Sequence, residues 1–104
     1  MRWLIVERFR GGDPAPVYRR FRDRGRLAPD GLRYVASWVS ADLTTCWQVM
    51  EGDDRAQLDA WIAAWDDLVE FEVHDVLTSD EARAAVLGNS IRQDYRIEKE
   101  LREG

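Results

Sequence analysis

Residues 2–9 (Arg-Trp-Leu-Ile-Val-Glu-Arg-Phe) gather β-branched and aromatic side chains before Gly11-Gly12 closes the run, which predicts a strand. Its alternation is poor, so either face can be the buried one. Asp13-Pro14 opens a helix, with Asp as N-cap and Pro in the first helical position. Val17, Tyr18 and Phe21 fall at i, i+1 and i+4, Arg19, Arg20, Arg22 and Arg24 fill the rest, and Gly25 ends this amphipathic helix. Pro29-Asp30-Gly31 signals a turn. Leu32–Val39 and Thr44–Glu51, joined by Ser40-Ala41-Asp42-Leu43, then read as a hairpin. With Val39 opposite Thr44, Ser37 faces Cys46, Val35 faces Gln48 and Arg33 faces Met50 on a mixed face. Leu32, Tyr34, Ala36 and Trp38 join Thr45, Trp47 and Val49 on a strongly apolar one.

Asp54-Arg55-Ala56-Gln57 has capping-box spacing, and Leu58, Trp61, Ile62 and Trp65 follow at i, i+3, i+4 and i+7. Val69-Glu70-Phe71-Glu72-Val73-His74 alternates strictly, as a half-buried strand does. Thr78-Ser79-Asp80-Glu81 is a second capping box, opening a short Ala-rich helix that ends near Gly88. The order β-α-β-β-α-β plus a short C-terminal helix predicts an α+β, ferredoxin-like fold: a four-stranded antiparallel sheet with both helices on one face. The helix stripes are expected against the Trp-rich sheet face. That leaves Val35, Val39, Cys46 and Met50 on an open face that wants a partner. Residues 1–88 read as a single domain. Residues 89–104 form a charged tail in which Ile91, Tyr95 and Leu101 mark either one more helix or a frayed end.

Composition narrows this picture. Eleven aromatic residues among 104 need a core, which excludes disorder for most of the chain. One Cys and one His exclude an internal disulfide and a four-ligand structural zinc site, and a reducing cytoplasm is the simplest setting. No apolar run nears the roughly 20 residues of a membrane span, and Glu7 interrupts any signal-peptide core. The net charge of −5 is unevenly spread: residues 1–33 carry nine Arg against Glu7, Asp13, Asp23 and Asp30. An acidic whole argues against nucleic acid, while the basic third can meet an acidic patch on a second copy.

Glu70, Glu72 and His74 are the sharpest chemical constellation. Residues two apart on a strand point the same way, roughly 6.7 Å between neighbours, so the row can serve as an acid/base pair or as three ligands to a metal. A polar strand face at the sheet rim is the plain alternative. The mixed hairpin face would add Ser37 and Gln48, making Ser37, Gln48, Glu70, Glu72 and His74 the candidate ligand-binding set. Trp38 and Trp47 read as core aromatics or as a stacking surface, and Trp61 and Trp65 as core. Cys46 reads as a buried thiol, since only His74 is present to serve as its base. Arg8, Arg10, Arg19, Arg20, Arg22, Arg24, Arg26 and Arg33 are either a solvated helix face with its flanks or an anion site, and Gly11-Gly12 lacks the spacing and Lys of a phosphate loop.

Val-Glu-Arg-Phe, the following Gly-Asp, Val-Tyr-x-Arg-Phe, Gly-Leu-x-Tyr-x-x-Ser-Trp-Val, Cys-Trp-Gln-Val-Met-Glu and Trp-x-Asp-Leu-Val-Glu-Phe-Glu occur in this order over residues 3–77. Together they resemble a family of small bacterial proteins carrying a domain of unknown function. That family is placed in the dimeric α+β-barrel superfamily, with antibiotic-biosynthesis monooxygenases, muconolactone isomerases and YCII-like proteins among its relatives. The resemblance implies a homodimer whose sheets pack face to face and enclose a cleft, and it transfers no catalytic residue. His74-Asp75 looks superficially like the His-Asp pair of YCII-like proteins, but adjacent strand residues point to opposite faces.

The expectation is a cytoplasmic homodimer, joined through its open sheet face, that binds a small organic molecule in a cleft between sheet and helices or between sheets. Its chemistry would be that of a cofactor-free monooxygenase- or isomerase-like enzyme. The alternative is a non-catalytic dimeric module for interaction or ligand sensing. No metal, cofactor, nucleic-acid or membrane partner is expected.

Overall fold

In the computed structural model, which describes residues 1–88, β1 (Arg2–Phe9) is a central strand, flanked by β3 (Thr45–Glu51) and β4 (Val69–Asp75). With β2 (Arg33–Val39) on the outer side of β3, the sheet order is β2-β3-β1-β4 and every pairing is antiparallel. Helices α1 (Ala15–Arg24) and α2 (Arg55–Ala63) follow β1 and β3, and α3 (Ser79–Leu87) follows β4. This is the ferredoxin-like α+β fold expected from the order of elements. The reading of Ile91, Tyr95 and Leu101 as a helix or a frayed end lies outside the described residues.

Local signals explain the element ends. Asp13 Oδ1 accepts from the Ala15 amide at 3.0 Å, so it caps α1 although the helix begins one residue later than expected. Thr78 and Glu81 complete both halves of a capping box at α3, at 3.1 and 2.8 Å. At α2 only half of the expected box forms. Asp54 accepts from Ala56 at 2.9 Å, but the Gln57 side chain reaches the Asp30 carbonyl at 3.1 Å instead of the cap. That contact requires glycine at position 31, where φ is +89° and an added Cβ would lie 2.3 Å from Gln57 Nε2.

The core lies between the sheet and the helices. Trp3, Ile5, Leu32, Met50, Leu58, Trp61 and Trp65 form its larger cluster, and Phe9, Cys46 and Val69 a smaller one. Register explains this choice of face. Trp3 opposes Met50, Ile5 opposes both Gln48 and Val73, and Phe9 opposes Val69, so the odd residues of β1 share a side with Cys46, Gln48 and Met50.

The hairpin faces are therefore reversed from expectation. Val39, Cys46 and Met50 belong to the helix-covered side, while Ala36, Trp38, Trp47 and Val49 share the uncovered side with Leu4 and Val6. The apolar row Val69, Phe71 and Val73, aligned with Phe9, Glu7 and Ile5, decides the matter over the aromatic count of the hairpin alone. The hairpin is also two positions out of the expected register, with Val39 opposite Cys46. A bulge between Tyr34 and Ala36 turns Tyr34 to the covered side, where its hydroxyl lies 2.8 Å from Ser37 Oγ.

The charge asymmetry is answered within the chain. Arg20 makes a bidentate pair with Asp67 at 2.8 and 2.7 Å. Arg2 bonds Glu51 at 3.0 Å and also Glu81, and Arg33 bonds Glu51 at 3.1 Å. The basic first third thus meets part of the acidic remainder within the chain.

Candidate functional site

A cleft of about 140 Å3 opens between the sheet and helices α1 and α2. Its floor comes from alternate strand positions: Glu7 on β1, Cys46 and Gln48 on β3, and Ser37 and Val39 on β2. Val17, Tyr18 and Phe21 of α1, with Trp61 and Trp65, supply aromatic and aliphatic walls. Helix α1 has no fully buried residue, and Tyr18 and Phe21 remain about half exposed where they border this cleft.

Glu7 is the unusual feature. It occupies the apolar odd row of β1, is only 7% exposed, and its Oε2 is buried with no hydrogen-bond partner among the described residues. Burial pushes its carboxyl up to about 7, against smaller opposing effects from the Cys46 thiol and the Arg26 charge. Cys46 sits directly opposite Glu7 in the β1–β3 ladder. Burial first, and the Glu7 carboxylate second, push its thiol up to about 12, so it is no nucleophile at neutral pH.

Gln48 is 4% exposed, and its Oε1 accepts from Arg26 Nη1 at 2.6 Å. Arginine has only donors, so this bond fixes which end of the amide is oxygen. The Nε2 end is left buried and without a partner among the described residues. An unpaired buried donor or acceptor costs on the order of 1–3 kcal/mol, so two such atoms in one cleft mark a place where a polar group belongs.

Arg26 is held in place by its own backbone. Its carbonyl accepts from the indoles of Trp61 and Trp65, at 3.0 and 2.9 Å. Leu27 beside it takes a left-handed conformation (φ 62°), which costs a non-glycine residue about 1 kcal/mol that the two indole bonds can offset. The guanidinium lies 3.8 Å from the Tyr34 ring centroid and 5.2 Å from that of Phe21, so it is stacked as well as hydrogen-bonded.

The five residues expected to form one site fall into two groups. Ser37 and Gln48 line this cleft. Glu70, Glu72 and His74 lie exposed on the opposite face of the sheet, since Glu72 is registered with Val6 and His74 with Leu4. There Glu72 Oε2 and His74 Nε2 are 2.6 Å apart, a contact that draws the Glu72 carboxyl below its ordinary range. Arg8 lies 3.8 Å from Glu72, and Arg10 pairs with Glu70 at 3.4 Å. Among the described residues no three His, Cys, Asp or Glu side chains come together as a metal site. Sequence reasoning missed Glu7 and held Arg26 only as one of eight arginines of a possible anion site. The signal for Glu7 was available: a carboxylate in the Trp3-Ile5-x-Phe9 row, visible once that row is assigned to the core. Nothing local marks Arg26 among its neighbouring arginines.

The class defined by this fold and site is a ferredoxin-like α+β domain with a polar-floored, aromatic-walled cleft between sheet and helices. Residues 1–89 match the family described as Domain of unknown function (DUF3303), and the chain belongs to that family. No curated protein and no solved structure matches it.

Proposed function

We propose that the chain binds a small organic molecule in the cleft between sheet and helices, and that Glu7 exchanges a proton with it. The observation that carries this reading is the buried Glu7 carboxyl, unpartnered at Oε2 and titrating near neutrality, beside the unpartnered Gln48 amide. A carboxyl poised near the working pH is suited to both accepting and returning a proton. Of the two chemistries implied by the resemblance, an isomerase-like proton transfer needs nothing beyond these side chains. Gln48 and Arg26 would orient the ligand oxygen, while the aromatic walls exclude water.

Ligand-observed NMR with phenol, benzamide and toluene tests the cleft against a Val39→Trp variant that fills it. Line broadening with the wild type that disappears in the variant supports the reading; equal broadening in both, or none in either, defeats it.

The uncovered sheet face favours a homodimer as the working state. Trp38 is 61% and Trp47 38% exposed, around a centre of Leu4, Val6, Ala36 and Val49. Arg8 and Arg33 share this face with Glu70 and Glu72, so a two-fold related copy can set opposite signs together. In such a dimer the Glu72–His74 pair would stand at the margin of the interface. Sedimentation should give a dimer for the wild type and a folded monomer for Trp47→Lys; a monomeric wild type would remove the dimer and leave the cleft. The single Cys, buried and unpaired, suits a reducing cytoplasm.

A further inference from the structure

The two unpartnered atoms, each on a residue that lines the cleft, differ in kind. Gln48 Nε2 can only donate, whereas Glu7 Oε2 accepts when ionised and exchanges a proton when not. Glu7 and Gln48 are diagonal neighbours across β1 and β3, because Glu7 opposes Cys46 and Ile5 opposes Gln48. Diagonal positions on one face are roughly 7–8 Å apart, within reach of two long side chains converging on one atom.

A single hydroxyl oxygen satisfies both groups, accepting from Nε2 and donating to Oε2. A carbonyl oxygen can accept from both only while Glu7 is protonated and leaves the ionised Oε2 unpaired, whereas a hydroxyl serves either state. A carboxylate would set a second negative charge against Glu7. The space is about 140 Å3, close to the roughly 150 Å3 that holds a benzene ring in an apolar core. Phe9, Tyr18, Phe21, Trp61 and Trp65 give that space aromatic walls.

Resting on the reading of this cleft as a small-molecule site, we propose that its ligand is a planar, single-ring compound with an ionisable hydroxyl, a phenol or cyclic enol, bound through that oxygen between Gln48 Nε2 and Glu7 Oε2. In the bound state the ligand O–H bond breaks as the Glu7 O–H bond forms, both electrons of the broken bond staying on the ligand oxygen. That anionic oxygen is then held by the Gln48 amide and faces the Arg26 charge. Return of the same proton to the ring oxygen, or to a ring carbon of an enol, completes a cycle without an oxidant or reductant.

The test uses the whole chain with 4-nitrophenol, whose absorbance reports its ionisation, and with nitrobenzene, which has the same ring without the hydroxyl. The expected result is that 4-nitrophenol binds at least about tenfold tighter than nitrobenzene, a difference worth about 1.4 kcal/mol. Its bound spectrum should shift with pH together with Glu7. Glu7→Gln and Gln48→Leu should each erase the preference while nitrobenzene still binds, which shows that the variant cleft is folded. Equal binding of the two compounds to the wild type overturns the hydroxyl inference and leaves the small-molecule cleft standing. Binding of neither overturns both.

Discussion

The two faces of one sheet have opposite designs. On the covered face an apolar row is interrupted by Glu7 and Gln48, polar groups placed where water is scarce. On the uncovered face apolar Trp38, Trp47, Leu4 and Val49 lie at the centre and charges stand at the margin in solvent. Charge in water is cheap to hold and weak in effect; the same carboxyl under an apolar roof changes its chemistry. The row Glu70-Glu72-His74 is richer in titratable groups, yet the single buried Glu7 is the better candidate for chemistry.

The largest break in this comparison should come from the packing beneath the covered face. Leu58 is fully buried on α2, so Leu58→Ala should cost about 2–5 kcal/mol in urea unfolding. Val49→Ala, on the uncovered face, should cost a fraction of that when measured in the Trp47→Lys background, where no partner can cover it.

Next comes Glu7. Its carboxyl keeps its proton in the folded protein up to about 7, while the unfolded chain loses it near the ordinary 4.5. The folded state therefore binds the extra proton in that window, and stability falls as pH rises through it. Glu7→Gln removes this dependence. At about pH 8 the variant should be more stable than the wild type by on the order of 3 kcal/mol, and the gap should close towards about pH 4. A gap that is flat with pH would show that Glu7 does not titrate near neutrality.

Trp61→Phe should come third. It keeps most of the wall but deletes one indole bond to the Arg26 carbonyl, a loss of about 1 kcal/mol beyond the change in packing. Its sharper readout is weaker 4-nitrophenol binding through a loosened Arg26. The smallest effect belongs to the uncovered face: Glu72→Gln should leave the unfolding midpoint of the monomeric background unchanged, because its pair with His74 is exposed.

The elements themselves were legible. The Leu58, Trp61, Ile62, Trp65 spacing gave α2, the Val69–His74 alternation gave β4, and Thr78 with Glu81 gave the start of α3. Periodicity reports that a strand has two unlike faces, but not which one the helices cover. With Tyr34, Trp38 and Trp47 counted as one apolar set, the hairpin pointed the wrong way. The bulge near Val35 was invisible because no Gly or Pro marks it, and it divides that set. Of the candidate site, Ser37 and Gln48 were read onto one mixed hairpin face, which the helices cover instead of leaving it open. Glu7 was lost because β1 was left without an assigned face, and Arg26 was not singled out from the other arginines because its position depends on two indoles 35 and 39 residues away.

The place of β1 at the centre of the sheet has a consequence for how the chain is made. Within this domain the strand synthesised first is one that needs two neighbours, and its second edge is closed only by residues 69–75. Until most of the described chain has been synthesised, Trp-Leu-Ile-Val stands as an unpaired apolar segment, the type that recruits other nascent chains. Arg2 before that run and Glu7-Arg8 after it are charges at its borders, and they guard the segment through the interval before the sheet closes.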